Sequence, residues 1–420
     1  MFHIKNSMLD DLKAGLVVSL VALPLCLGIA LASGAPALSG LLAGIIGGLL
    51  IGILSPSHVS VSGPAAGLTV VVLDAIADIG SFAAFLPALI LAGLIQLLMG
   101  LFRLGKISNF VHHCVIEGML SAIGLILIIK QLPYVIGSLS PKYTEIFNTP
   151  APDNINLGAF LIGLICLIFI AVHNTTSLKD KKFFKLIPLS MLLVVIASVL
   201  AFLFSFYSPL QLSQNLFVDL SGITGGAQAF SALIFPDFSQ GFSLNIIKYA
   251  VVMALVASLE TLLCVKAADQ IDPHKRFTPP NKELFAQGIG NIFSGFIGGL
   301  PITSVIVRTS VNIQAGAKTK WASVFHGIIL MIGLLAFPTL ITKIPLAVLA
   351  CILVLAGYNL AHPRQISSSV KNGFLYAIPF FVTLTIVVFT DILIGVIVGQ
   401  CVSMALRFGF KGSQEKLKHT

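Results

Sequence analysis

Long apolar stretches separated by short polar ones recur along nearly the whole chain of 420 residues. Most of them run for about 17–25 residues, the length that an α-helix needs to cross a lipid bilayer. The pattern therefore predicts an all-α, polytopic membrane protein. The fourteen predicted segments are 11–31, 36–54, 63–78, 82–104, 110–130, 156–174, 185–206, 244–268, 281–299, 302–316, 320–342, 345–361, 372–388 and 390–408.

Two of these segments, 63–78 and 302–316, are too short to cross a hydrocarbon core of about 30 Å at 1.5 Å per helical residue. Each follows a break rich in glycine and proline, and in the first break Pro64 suits the first helical position. A helix that begins inside the membrane presents free N–H groups and the positive end of its dipole, which together suit an anion. The alternative is that each break is only a kink or a loop.

The two halves of the chain resemble each other at a nearly constant offset; Pro64, for example, recurs as Pro301, 237 residues later. Seven segments per half is an odd number, so the second copy would insert upside down. Such inverted repeats are typical of secondary transporters. The predicted units are a first seven-segment repeat at 8–206, a second, inverted seven-segment repeat at 244–408 and a short cytoplasmic tail at 409–420.

Charged residues make up 10% of the chain, whereas a soluble domain carries roughly 25%. The net charge of +9 follows from membrane topology rather than from nucleic-acid binding. Lysines and arginines concentrate in the predicted inner loops, and the long outer loops near 131–155 and 207–243 contribute only Lys142. This asymmetry predicts a multi-pass protein of the inner (plasma) membrane with cytoplasmic N- and C-termini, in contact with lipid and not with nucleic acid.

Arg308 is the residue that most constrains the substrate. It follows the second break in a segment that otherwise avoids charge, and its first-half counterpart is Val71. An arginine inside a membrane costs about 2.5 kcal/mol or more, so it marks a functional site. Its side chain leans toward the helix N-terminus, which predicts an anion site. The alternative is an arginine that snorkels to the cytoplasmic interface.

Glu260 lies near the middle of the eighth segment, where its carboxyl would be desolvated. It is a candidate carrier of a coupling proton or a ligand of a coupling sodium ion. A structural ion pair with Arg308 or Lys266 is the alternative, and the residues leave both open.

The sequence has no Walker motif, no metal-ligand spacing and no pairing of a nucleophile with a base. The six cysteines lie inside apolar runs without a CxxC pair, which indicates buried small hydrophobic side chains rather than a disulfide or metal framework. We therefore expect a protein that is not an enzyme and uses no cofactor or metal, apart from a coupling sodium ion or proton.

Three stretches of the second half carry a family resemblance. Each is similar to a signature of the SulP family of sulfate permeases. Ser258–Asp269 resembles ESLLS…AK.AD, Asn281–Asn291 resembles N-x-E-L-x-x-Q-G-x-x-N, and Gly298–Thr319 resembles GG.P.T…RT.VN…G..T. The resemblance covers essentially all predicted segments. It implies a uracil-permease-like fold of fourteen segments in two inverted seven-segment repeats, with a core domain (segments 1–4 and 8–11) that moves against a gate domain (segments 5–7 and 12–14).

The resemblance also implies the residues of the transport site. Position by position, the anion site falls on Ala65, Ala66, Gly67, Ile302, Thr303, Ser304 and Arg308. The acidic position that the family links to coupling cations is Glu260, and Thr261 follows it. Thr261 and Cys264 stand where the family carries serines, a difference that is expected to alter coupling without abolishing it.

A narrower resemblance concerns the substrate. The sequences of Leu23–Ala30 and Pro301–Ile306 resemble those of a subgroup of the family that is often associated or fused with carbonic anhydrases. This implies a functional link to a carbonic anhydrase and favours bicarbonate over sulfate. The family resemblance further implies a homodimer. Many members add a cytoplasmic STAS domain after the last segment, and we expect none in the tail at 409–420.

Together these features predict a secondary active transporter of a small inorganic anion, bicarbonate or sulfate, driven by sodium or proton symport through Glu260 with elevator-like alternating access. The alternatives are an anion exchanger, an anion channel, a dicarboxylate transporter and a nucleobase permease of the same fold. Arg308 argues against a neutral nucleobase.

Overall fold

The computed structural model describes residues 2–105, 112–138, 155–175, 188–220, 223, 226–239, 241, 243–390 and 392–418, and it is mostly helical. The helices of the first half are α1 (Phe2–Ala32), α2 (Ala37–Leu54, with a π-helical turn at Gly47–Ile51), α3 (Thr69–Ile79), α4 (Phe82–Leu101), α5 (His113–Val135), α6 (Leu157–Thr175) and α7 (Leu189–Phe204). Those that follow are α8 (Gly226–Ser231), α9 (Leu244–Ile271), α10 (Pro280–Phe296), α11 (Ile306–Gln314), α12 (Trp321–Ala336), α13 (Pro338–Ile341), α14 (Leu346–Leu360), α15 (Pro363–Lys371), α16 (Phe374–Phe389) and α17 (Ile392–Lys418). Two short strands, β1 (Ser62–Pro64) and β2 (Ile302–Ser304), form one antiparallel sheet.

The helices follow the predicted segments closely. Each of the fourteen segments coincides with a helix over most of its described length. Within the described residues, five helices are long and apolar enough to cross a membrane, namely Met8–Ala32 of α1, α2, α4, α5 and α9. Six further apolar helices are shorter, with 10–17 residues. The number of crossings therefore stays a prediction.

Two compact units divide the chain, one formed by residues 1–105 and 130–354 and the other by residues 106–129 and 355–420. Two of the three divisions fall inside helices, one in α5 and one in α14. The helices α6 and α7, which the resemblance assigns to a gate domain, belong to the first unit. The predicted repeats at 8–206 and 244–408 and the tail at 409–420 stay predictions, and each includes residues that lie outside the described ones.

Close approaches at glycines pack the helices of the first unit. A β-carbon at Gly288 of α10 would lie 2.5 Å from the backbone nitrogen of Leu97 and 2.8 Å from the carbonyl oxygen of Gly93, both in α4. A β-carbon at Gly40 of α2 would overlap the carbonyl oxygen of Cys26 in α1. Small residues permit this proximity in membranes, where van der Waals packing drives helix association.

The helices after the two breaks begin later than the sequence predicts. Pro64, expected at the first helical position, is the last residue of β1, and a 3₁₀ turn (Ala66–Leu68) leads into α3. After Pro301 the chain forms β2, and α11 begins only at Ile306. The reason is that the two breaks pair with each other, which satisfies backbone groups of both before the helices start. Arg308 therefore lies in the first turn of α11.

Loops that carry many of the basic residues meet at one end of the first unit. The carboxylate of Asp11 accepts hydrogen bonds from the backbone N–H groups of Lys318 at 2.7 Å and Thr319 at 3.0 Å. Arg276 donates to the carbonyl oxygen of Lys318 and to the carboxylate of Asp272. The hydrogen bonds from Arg276 lower the pKa of Asp272 to about 2. These contacts tie the start of α1 to the loops that follow α9 and precede α12.

The second unit has its own small core. Cys114, Val115 and Phe380 are buried together, with side chains of α15, α16 and α17 packed around them. Cys401 of α17, predicted to be a buried hydrophobic residue, is exposed, and Cys264 of the first unit is partly exposed. The prediction was wrong for these two because a uniformly apolar run does not reveal which face of a helix packs.

Candidate anion and cation site

The two breaks of the chain meet as paired strands. The paired residues are Ser62 and Ser304, Gly63 and Thr303, and Pro64 and Ile302. Because the strands are antiparallel, the chain leaves β1 toward α3 at the Pro64 end and leaves β2 toward α11 at the Ser304 end. The N-termini of α3 and α11 therefore lie at opposite ends of one short sheet and face each other across it.

Both helix N-termini offer backbone donors. The N–H groups of Ala66 and Gly67 precede the first hydrogen bond of the 3₁₀ turn, and those of Val307 and Arg308 precede the first hydrogen bond of α11. None of the four has a backbone acceptor among the described residues. Free donors at the positive ends of two helix dipoles form an arrangement that binds anions.

Glu260 of α9 lies beside the first of these N-termini. A β-carbon at Gly67 would sit 2.9 Å from Oε2 of Glu260, so the missing side chain lets the carboxyl approach the backbone. Glu260 is partly buried, and its Oε2 has no hydrogen-bond partner among the described residues. The next residue, Thr261, accepts a hydrogen bond from the backbone nitrogen of Ser304 at 3.3 Å. Consecutive residues of α9 thus contact both breaks.

Glu260 forms no ion pair with either of its two alternative partners in the described part of the chain. Lys266 is exposed, and the charged head of Arg308 contacts other residues. The structure therefore does not support a structural ion pair, and the coupling role of Glu260 stays a prediction. Within the same described residues, no group of three or more His, Cys, Asp or Glu side chains could hold a metal ion.

The guanidinium of Arg308 lies against β1, in the other half of the chain. A β-carbon at Gly63 would overlap its Nη1, and its Nη2 donates to Sγ of Cys26 at 3.3 Å. Arg308 is 0% exposed, which is not the position of a snorkelling side chain. Its Nε and Nη1 have no acceptor among the described residues. A buried cation with unpartnered donors is strongly disfavoured unless an anion approaches it.

The predicted anion residues of β2 are not equally free. The side-chain amide of Asn291 accepts from the Ile302 nitrogen at 2.6 Å and donates to the Ile302 oxygen at 3.0 Å, so Ile302 cannot donate its N–H to an anion. The hydroxyl of Ser304 is hydrogen-bonded to that of Ser60. Thr303 is 0% exposed, and its Oγ1 has no partner among the described residues. Thr303 is therefore the residue of β2 whose hydroxyl remains available.

The polar face of α10 that holds both strands was not predicted from the sequence. Glu283, Gln287, Asn291 and Ser294 lie on this face, and each is at most 1% exposed. Gln287 donates to the hydroxyl of Ser62 in β1 at 2.8 Å, while Asn291 binds β2. The available signal was the spacing of four residues from Glu283 to Gln287 to Asn291, because it aligns the three side chains on one helical face.

Two neighbours of Arg308 were also missed. Cys26, interpreted as a hydrophobic residue, accepts a hydrogen bond from the guanidinium. His326 of α12 is 0% exposed, and neither of its ring nitrogens has a partner among the described residues. No local pattern marks either residue, because Cys26 is 282 positions from Arg308 and His326 lies in a different helix.

Comparisons with known proteins agree on the class of the chain. Residues 8–383 match the model of the sulfate permease family. The chain is 28% identical over 404 residues to the putative sulfate transporter YvdB of Bacillus subtilis (strain 168), an alignment that covers 93% of this chain and 71% of that protein. It is 29% identical over 418 residues to the bicarbonate transporter BicA of Picosynechococcus sp. (strain ATCC 27264 / PCC 7002 / PR-6), covering 96% of this chain and 70% of that protein.

A solved structure shares the fold. The transmembrane domain of a cyanobacterium bicarbonate transporter BicA matches with a TM-score of 0.77 at 26% identity, over 94% of this chain and 97% of that chain. This likeness confirms the predicted fold class, a helical membrane-transporter fold. It does not fix the number of membrane segments.

Proposed function

The chain belongs to the sulfate permease family, and on that premise we propose that it is a secondary active transporter of bicarbonate or sulfate, coupled to sodium or protons. Members of this family transport anions across membranes and are not enzymes. In our proposal the anion binds between the N-termini of α3 and α11. Elevator-like alternating access then carries these helices and the anion across the membrane.

One observation carries the choice of an anion: the fully buried Arg308 has two unpartnered nitrogens at the strand pair that joins two helix N-termini. An anion there would give the guanidinium charge-assisted hydrogen bonds and would take up free backbone donors. A neutral nucleobase would leave the buried cation uncompensated, which disfavours a nucleobase permease. The residues that we propose for the anion site are Ala65, Ala66, Gly67, Thr303 and Arg308, with Ile302 and Ser304 as parts of its supporting strand.

Glu260 supplies the proposed coupling to a cation. Its carboxylate lies beside Gly67, at one of the two anion-binding helix ends. An ionised carboxylate there repels an incoming anion, and a bound proton or sodium ion removes that repulsion. Each ligand therefore favours the binding of the other, as symport requires. Thr261 supports this role because its hydroxyl accepts a hydrogen bond from the backbone N–H of Ser304. This bond connects α9, the helix that carries Glu260, with β2.

The substrate, the membrane and the partners are proposed on more general grounds. Relatives are named sulfate transporters and bicarbonate transporters. The resemblance of Leu23–Ala30 and Pro301–Ile306 to the subgroup associated with carbonic anhydrases favours bicarbonate. The distribution of lysine and arginine favours the inner (plasma) membrane with both termini in the cytoplasm. A homodimer and a functional link to a carbonic anhydrase complete the proposal.

Counterflow exchange tests the substrate without requiring a coupling gradient. Proteoliposomes loaded with unlabelled sulfate or bicarbonate are diluted into a trace of the same anion in labelled form. We expect a transient accumulation of label that excess external sulfate or bicarbonate suppresses and uracil does not. With the membrane potential held at zero by valinomycin and equal potassium on both sides, a channel gives no such transient, because its two fluxes are then independent. Absence of counterflow with both anions would contradict the proposed function, and Arg308→Gln protein is the matched control that should show none.

A further inference from the structure

The side-chain amide of Asn291 makes the hydrogen bonds to β2 that the backbone of a neighbouring strand would make. It binds both the N–H and the carbonyl oxygen of Ile302, at 2.6 and 3.0 Å. One helical turn later, the hydroxyl of Ser294 donates to the carbonyl oxygen of Leu300 at 2.6 Å. The entry to β2 is therefore held by side chains of α10. Ile302 is 0% exposed, and water cannot replace these bonds.

The same amide continues toward the helix of Glu260. Asn291 also donates to Oε1 of Gln96 in α4 at 2.7 Å, and Gln96 donates to the hydroxyl of Ser258 in α9 at 3.3 Å. All three side chains are at most 1% exposed. In such a low-dielectric interior, hydrogen bonds are strong and an unmet partner is costly. A continuous chain of hydrogen bonds thus runs from the anion-site strand to α9.

Two ties from α9 hold the opposite ends of β2. Ser258 reaches Ile302 through Gln96 and Asn291, and Thr261 binds the backbone nitrogen of Ser304 directly. Ser258 and Thr261 flank Glu260 in the sequence. Any displacement of this turn of α9 when a cation binds Glu260 is therefore passed to both ends of the strand.

We propose that Gln96 is a positioning residue: the chain Asn291–Gln96–Ser258 fixes β2 relative to Glu260 and transmits cation binding to the anion site. The inference rests on the proposed coupling through Glu260. It assigns the coupling to a physical element, a rigid polar connection between α9, α4 and α10, rather than to electrostatics at Glu260 alone. Gln96 touches neither ligand in this scheme.

The variant Gln96→Met breaks this connection; it removes the Gln96 acceptor of one Asn291 N–H, which lowers stability, and keeps the other contacts of the link. Methionine has a similar volume and suits a buried site. Asn291 keeps both hydrogen bonds to Ile302, and the hydroxyl of Ser258 keeps its contact with Sδ of Met99 at 3.9 Å. Gln131→Met is the matched control, because Gln131 is also buried in the first unit and makes none of these contacts among the described residues.

The measurement is the dissociation constant of labelled sulfate for purified protein, with and without sodium, and at low and high pH. The coupling factor for sodium is the ratio of the dissociation constants without and with sodium, and the factor for protons is the ratio at high and low pH. Such factors are typically about 5–150 for linked sites. We expect Gln96→Met to reduce this factor at least about fivefold, while the dissociation constant of sulfate without the cation changes less than about threefold and Gln131→Met leaves the factor unchanged. A purely structural role would lower stability and leave the factor unchanged.

Each outcome decides between the two proposals. An unchanged factor in folded Gln96→Met protein overturns the positioning role and leaves the coupling through Glu260 intact. A factor of one in the natural protein, for both sodium and pH, overturns the coupling itself and the positioning role with it. Ser258→Ala removes the other end of the same link and serves if Gln96→Met does not fold. If both residues act through the same link, the double variant with Gln96→Met and Ser258→Ala should lower the coupling factor no more than either single variant does.

Discussion

At the scale of single residues, the first half of the chain supplies space and the second half supplies charge. Gly63 leaves room for the guanidinium of Arg308, and Gly67 leaves room for the carboxyl of Glu260. Both charged side chains belong to the second half of the chain. The five residues 63–67 of the first half therefore contact one positively and one negatively charged side chain of the second half. The absence of side chains at these two glycines is therefore part of the site.

Gly63→Ala tests this arrangement. The new methyl group would overlap Nη1 of Arg308 and push the guanidinium away from β1. We expect the anion affinity to fall at least about tenfold, since a charge-assisted hydrogen bond contributes roughly 1.5–3 kcal/mol. The measurement is the concentration of anion that half-saturates counterflow. Gly333→Ala is the control, because a β-carbon at Gly333 meets nothing within 4 Å; equal affinities in the two variants would contradict the assignment.

At the scale of elements, the site depends on how closely α4 and α10 approach each other. Their contact at Gly93 and Gly288 brings Gln96 and Asn291 within hydrogen-bond distance, and Asn291 in turn holds β2. Helix packing and site geometry are thus set by the same interface.

Gly288→Ala should disturb both together. A β-carbon at Gly288 would lie 2.5 Å from the backbone nitrogen of Leu97, so α4 and α10 must separate. We expect a loss of about 1–3 kcal/mol in stability, the usual cost of overpacking, and a weaker affinity for the anion. Thermal unfolding in detergent and sulfate binding measure the two effects. A variant that loses stability and binds sulfate as tightly as Gly333→Ala protein would show that the interface does not set the site.

The sequence predicted the helices better than the strands between them. Apolar runs identify membrane helices because lipid requires them to satisfy their own backbone groups. The strands β1 and β2 have only three residues each and contain proline or follow it, so no local pattern marks them. Their pairing depends on partners in the opposite half of the chain. For the same reason the sequence placed Pro64 at the first helical position.

Parts of the site that depend on residue type were easier to predict. A charged residue in an apolar segment is conspicuous, so Arg308 and Glu260 could be selected from the sequence, and the structure brings each to the first break. What a side chain contacts was harder to predict. Cys26, Gln96 and His326 are ordinary residues in apolar helices, and only the folded chain gives them their neighbours.

At the scale of the whole molecule, the chain combines the fold of a family of anion transporters with one candidate site at the paired strands. Residues 8–383 match the family, and the solved transmembrane domain of BicA aligns with 94% of the chain. We propose that the buried cation of Arg308 selects the sign of the substrate and that the carboxyl of Glu260, beside the same strand pair, binds the coupling cation. The central claim is that transport is both carrier-mediated and driven through Glu260.

The most direct test is the accumulation of labelled bicarbonate or sulfate in proteoliposomes under an imposed sodium or proton gradient. We predict that the natural protein concentrates the anion above its equilibrium level and loses the excess when an ionophore dissipates the gradient. Glu260→Gln protein should perform counterflow but no longer accumulate the anion, because an amide carries no charge for a cation to neutralise. Failure of the natural protein to accumulate either anion under both gradients, or full accumulation by Glu260→Gln protein, would contradict the claim.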